Sequence, residues 1–162
     1  MGTYYILVNH TKKEWIDFKH CSKSEPIYHH SELIASYLHK NNGDYITFVG
    51  DWGNLHAYIV DEYRNATAKA YRDLICEYCS DVEHLMRVLL GGIWKRDPYK
   101  YICKELKKDD DAFKDVLSSL KRWRASLNEN ADKYIDKLGK EKYEKILKGL
   151  DVVIQYFQNY EE

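Results

Sequence analysis

Asp51 is the residue with the clearest chance of doing chemistry. It stands in "GDYITFVGDWG", residues 43–53, where two Gly-Asp pairs bracket a short apolar stretch. A carboxylate just past the end of a strand lies where ligands collect in open α/β sheets. There Asp51 could hold a metal, a ribose hydroxyl or a substrate proton, with His10, His56 or Trp52 nearby. The plain reading is a turn: glycine allows positive φ, and aspartate bonds nearby backbone amides. Trp52 would then be a lid on the core. Asp44 and Asp51 sit at opposite ends of one strand, roughly 23 Å apart, so they cannot form an acid/base pair.

Cysteines and histidines offer a second chemistry. Cys76 and Cys79 are spaced by two residues and His84 follows. With Cys21 or Cys103 they could make four zinc ligands. Zinc ribbons supply two close pairs, however, and here there is one. The favoured expectation is core thiols with no cofactor, and zinc is the alternative. Redox chemistry needs a thiolate at a helix N-terminus, and this pair lies nearer a helix end. His29 and His30 read as exposed loop residues, and His10 as a solvent-facing turn residue.

Cations interleaved with aromatics form a third group. "IWKRDPYK" presents Trp94, Lys95 and Arg96, and "LKRWRASL" presents Lys121, Arg122 and Arg124. Phosphates could take the charges while bases stack on the rings. An amphipathic helix shows the same stripe, and the net charge of −1 gives nucleic acid no support. No phosphate loop, dinucleotide fingerprint or nucleophile elbow occurs.

These residues need elements to hold them. "YYILVN" (4–9) reads as a strand with apolar residues on both faces, "HTKK" as a turn, and "EWIDF" as the returning strand. Residues 19–28 read as a polar loop. Residues 31–42 change to helical period, with Leu33, Ile34, Tyr37 and Leu38 on one face and Gly43 as the stop. "DYITFVG" is again a strand, and "HAYIV" (56–60) fits either a strand or a helix. Beyond residue 61 the pattern is helical to the end. Ser80 with Glu83 makes a capping box, Asp97-Pro98 a helix start, and Asp109 to Asp111 another. Tyr143, Ile146, Leu147, Leu150, Val153, Ile154 and Phe157 form the longest stripe. The expected class is α+β: a small hairpin/helix/strand unit over 1–60, packed against a mostly helical half over 61–162.

"YYILVNHTKKEWIDF" and "GDYITFVGDWG" together resemble a group of small proteins found in large DNA viruses of protists and in scattered microbes. The shared features are Tyr5-x-Leu7-Val8-Asn9-x-Thr11-Lys12, then Gly43-Asp44-x-Ile46 and Gly50-Asp51. The resemblance covers about residues 4–53 and implies that they form one structural unit. It implies no activity, catalytic residue or ligand.

Composition narrows the options. The chain has 162 residues, 44% of them apolar, and two prolines, which suits a packed domain. No apolar run approaches the roughly 20 residues that span a bilayer. "MGTYYILVN" lacks a basic start and a long apolar core, so no signal peptide is expected. The cysteines are then expected as reduced thiols in the cytoplasm. Fifteen tyrosines and four tryptophans favour an interaction surface, since these residues carry much of the energy at interfaces. The expected function is a soluble intracellular binding or regulatory protein that recognises another protein. A homodimer through the C-terminal helix fits the heptad-like spacing. A small enzyme or metal site at Asp51, and an RNA- or DNA-binding module, are the alternatives.

Overall fold

The computed structural model describes residues 3–22, 30–91 and 97–161, the side chains of 19–22 excepted. The class is α+β, as the periodicities imply. The chain divides into two compact units, residues 1–74 and 75–162. The division falls later than the change of period near residue 60 because two further helices pack within the first unit.

In the first unit β1 (Tyr4–Asn9) and β2 (Glu14–Ser22) form an antiparallel hairpin. Its turn closes through Lys13, whose φ is +55°. β2 runs four residues past the expected strand end, because Tyr4 pairs with Ser22 across an irregularity in register. Then come α1 (Ser31–Lys40), β3 (Ile46–Gly50), α2 (Asn54–Glu62), β4 (Arg64–Asn65) and α3 (Thr67–Asp73). The sheet order is β3-β1-β2-β4. "HAYIV" is thus helix. β4 corrects the expectation of helix throughout from residue 61: Arg64 N–H donates to Lys13 C=O, and Ala66 N–H to Trp15 C=O. Asn65 then accepts from the Thr67 amide and hydroxyl, which starts α3.

Both sheet faces are covered, as two apolar faces on β1 require. On one face Ile6, Val8, Val49 and Ile59 of α2 form a cluster, with Trp15 and Tyr63 at its side. On the other, Phe18 lies 6.2 Å from Phe48 and 5.3 Å from His30, and Tyr37 of α1 reaches Glu14. His30 is therefore a half-buried packing residue, not an exposed one. Leu38 is 44% exposed, so only part of the expected α1 stripe reaches the core.

α3 runs into a π-helical stretch, Leu74–Tyr78. The second unit holds α4 (Val82–Leu90), α5 (Pro98–Leu106), α6 (Asp110–Glu129), α7 (Ala131–Leu138) and α8 (Lys140–Gln158). Asp81, not Ser80, caps α4, accepting from His84 N–H at 2.7 Å. Asp109 caps α6 through Ala112 N–H, and Pro98 opens α5 as expected. α8 touches each of the other four helices. Tyr143, Ile146, Leu150, Val153 and Phe157 are buried there, and Phe157 stacks on Phe113 at 5.6 Å. The stripe read as a dimer seam is thus spent inside the unit. Gly149 lies in it because a Cβ would meet Leu90 Cδ1 and Met86 Cε at 3.0 Å. Among the described residues no helix is long and apolar enough to cross a membrane.

Candidate functional site

The first unit carries two groups of side chains that stand out from its core. One is a polar network at the turn end of the hairpin. The other is a string of aromatics along one sheet face and α2.

The network centres on Glu14, 3% exposed, and Asn9, fully buried. Strand alternation puts Glu14 on the same face as Ile16 and Phe18, under α1. Tyr37 hydroxyl donates to Glu14 Oε1 at 2.6 Å, and Arg64 Nη2 donates to Oε2 at 2.6 Å. Burial, with Glu14 beside it, raises the Tyr37 hydroxyl well above the ordinary phenol range, so it stays a donor. Asn9 Nδ2 donates to Asp44 Oδ2 at 2.8 Å, while Asn9 Oδ1 accepts from Lys12 N–H. Lys12 Nζ reaches Asn41 Oδ1 and lies 3.8 Å from Asp44. Lys40 pairs with Asp73 at 3.0 Å. The cavity among Lys12, Glu14, Tyr37, Asn41, Lys69 and Asp73 is about 20 Å³, room for about one water. Buried polar groups cost stability unless they are paired, and these are paired with one another. The network holds the hairpin turn, α1 and β4 in register.

The Gly-Asp pairs belong to the same kind of bonding. Asp44 serves Asn9, and Asp51 Oδ1 accepts Tyr4 N–H at 3.2 Å. Thr11 Oγ1 accepts Tyr45 N–H. Asp51 and His10 are not brought together. His10 bonds Thr47 Oγ1 at 2.8 Å near the start of β3, whereas Asp51 follows its end. The separation is about 20 Å. His56 is half-buried in the first turn of α2. Trp52 is not a lid, since it is 75% exposed.

The aromatic string starts from that same His10, which is half-buried and not free in solvent. Its ring lies 4.9 Å from Tyr45 and 6.1 Å from Tyr63, and Tyr63 lies 6.2 Å from Tyr58. Leu55 and Tyr58 are three apart on α2 and share a face. Tyr45, Trp52, Leu55 and Tyr58 are each more than half exposed. Only Ile59 of α2 is buried. An amphipathic reading of the α2 sequence misses this, because apolar residues lie on its outer side too.

The other expected residues lie elsewhere. Trp94, Lys95 and Arg96 lie outside the described residues. On α6, Lys121 and Arg122 are exposed. Arg124 instead forks onto Asp151 of α8, with Nε to Oδ1 at 2.6 Å. Cys76 lies in the π-helical stretch, and Cys79 just past it. Both are half-buried, and Cys103 is a buried free thiol. Burial pushes the Cys103 thiol up to about 11. His84 Nδ1 faces Ser80 N–H at 3.4 Å. Among the described residues no group of three or more His, Cys, Asp or Glu is placed to hold a metal ion. The side chain of Cys21 is outside that set. The second unit also carries an open groove of about 430 Å³ lined by Tyr99, Val152, Tyr156 and Tyr160.

The sequence marks Tyr37 only as a helix-face residue and Asn9 only as part of the shared motif, and it does not single out Glu14. The available signal was alternation, which sets Glu14 in line with Ile16 and Phe18. Compared with known protein families, curated proteins and solved structures, the chain matches none.

Proposed function

We propose that the chain is a soluble cytoplasmic recognition protein that binds another protein through the surface formed by Tyr45, Trp52 and α2. One observation carries this reading. Nine large apolar side chains are exposed among the described residues, and Tyr45, Trp52, Leu55 and Tyr58, each more than half exposed, fall within fourteen consecutive positions. Scattered exposed apolar residues need no explanation, but a concentration of them marks an interaction site. Tryptophan and tyrosine anchor interfaces because each buries a large rigid area at small entropic cost. The polar network supports the surface from beneath by fixing the turn that carries His10. The resemblance of residues 4–53 to the viral and microbial group stands beside this reading. Its shared Asn9, Thr11, Lys12, Asp44 and Asp51 are the residues that bond the sheet and its turns.

Comparative affinity purification from the native cell tests the reading. The wild-type chain, a Trp52→Ser/Tyr58→Ser variant and a Lys133→Ser control are used as baits. A partner retained by wild type and control and lost by the double variant is the expected result. Equal recovery on all three baits contradicts the proposal.

A further inference from the structure

The outer edge of β3 turns a row of backbone groups away from its own sheet. His10 N–H donates to Tyr45 C=O, and Asp51 N–H donates to Tyr4 C=O, both at 2.9 Å. The β1–β3 register between them is unbroken. Antiparallel ladders alternate, so Thr47 and Val49 also spend their backbone groups on β1. Ile46, Phe48 and Gly50 therefore turn their N–H and C=O groups away from the sheet. β3 is terminal in the sheet order, and among the described residues no strand pairs with that side.

Natural sheets blunt such edges with lysine, proline, bulges or short strands. The opposite edge follows the rule, since β4 has two residues, one of them Arg64. β3 has none of these devices: "ITFVG" holds no charge and no proline over five residues. The acids at its two ends do not guard it either. Asp44 is bonded to Asn9, and Asp51 to the Tyr4 amide.

We propose that β3 pairs antiparallel with β3 of a second copy, about a two-fold axis at Phe48. The outward residues are symmetric about that position. Phe48 meets Phe48 of the other copy as a hydrogen-bonded pair, and Ile46 meets Gly50. Each outward residue then exchanges both backbone bonds, and the sheet runs on through the dimer. The contact is isologous, so it closes at two copies and cannot propagate. Side chains agree with the register. Phe48 is 41% exposed and gains an aromatic neighbour on the Phe18 face. Gly50 is bare because a Cβ there would lie 2.6 Å from Thr3 Cγ2, within the cover that Thr3 and Tyr5 give this end of the strand. A foreign extended peptide could use the same bonds but has no reason to fit this symmetry. The inference rests on backbone direction and does not depend on the recognition surface of Tyr45 and α2.

Sedimentation velocity of the full chain across a concentration series, with residue-resolved amide exchange at both ends of it, tests the proposal. The mass rises from 19.3 kDa to twice that value. At a chain concentration of about ten times the dissociation constant about a fifth of the chains remain single, so exchange at Ile46, Phe48 and Gly50 slows about fivefold, while Thr47 and Val49 keep their rates. Phe48→Pro removes an outward N–H without touching the β1 ladder and leaves a monomer. Should that variant not fold, wild-type exchange still decides. A mass of one chain at every concentration overturns the proposal. So does a dimer that slows other amides, or a monomer whose edge is protected by a co-purified peptide.

Discussion

Replacing Tyr37 by Phe removes one hydroxyl and nothing else, so its cost can be worked from the polar network. The hydroxyl is a neutral donor to a buried carboxylate at 2.6 Å. Bonds to charged groups contribute about 1.5–3 kcal/mol each. Without it, Glu14 Oε1 loses this donor in a site where the residue is 3% exposed. Oε2 keeps Arg64, but that side chain is 69% exposed and its charge is screened by water. The expected loss is therefore about 2 kcal/mol. With a urea slope of about 1–3 kcal/mol per molar, the midpoint falls by about 1 M. The assay is a urea titration followed through the amide signals of β1, which report on the first unit alone. Tyr58→Phe is the control: its ring is exposed, and its loss stays within about 0.5 kcal/mol. Equal midpoints for the wild type and Tyr37→Phe, or equal losses for the two variants, refute the claim that Glu14 organises this end of the sheet.

Three further outcomes are expected in the second unit. Asp81→Ala costs about 1 kcal/mol through loss of the α4 cap, whereas Ser80→Ala is nearly neutral, as thermal melts of the two variants will show. Gly149→Ala gains up to about 1 kcal/mol of helix propensity but crowds Leu90 and Met86, at a cost of about 1–3 kcal/mol; the net loss of about 1 kcal/mol is read by denaturant unfolding of α8. Cys103 gives a pH dependence. Its thiol titrates near 9.0 when unfolded and at about 11 when folded, so unfolding releases a proton between those values. Stability is thus constant below about pH 8 and falls by about 2–3 kcal/mol as the pH rises through that window. Tyr99, also raised by burial, acts in the same direction above pH 10. Cys103→Ala is less stable at neutral pH but flatter between pH 8.5 and 10.

Much of the local structure is legible in the residues themselves. The bounds of β1 fall at Tyr4 and Asn9, as its apolar run implies, and the α8 stripe is as regular as its spacing. Asp109 and Pro98 mark helix starts through chemistry that acts within one turn. What was hidden depends on partners far along the chain. β4 is a strand only because Lys13 and Trp15, about 50 positions earlier, take its backbone bonds. Glu14 looks like a turn residue, and only the covering α1 makes it a buried acceptor. Trp52 looks like a core residue, because composition cannot tell an aromatic lid from an aromatic surface. The same limit hides the exposed aromatics of residues 45–60, where the sequence reads as a strand, a turn and then "HAYIV", which fits either a strand or a helix.

The most direct measurement of the recognition claim is an amide-exchange footprint of the purified complex with the partner recovered by comparative purification. Slower exchange across residues 52–62, with α6 and α8 unchanged, is the result this account predicts. A footprint on α6 to α8, with α2 exchanging as fast as in the free chain, contradicts it.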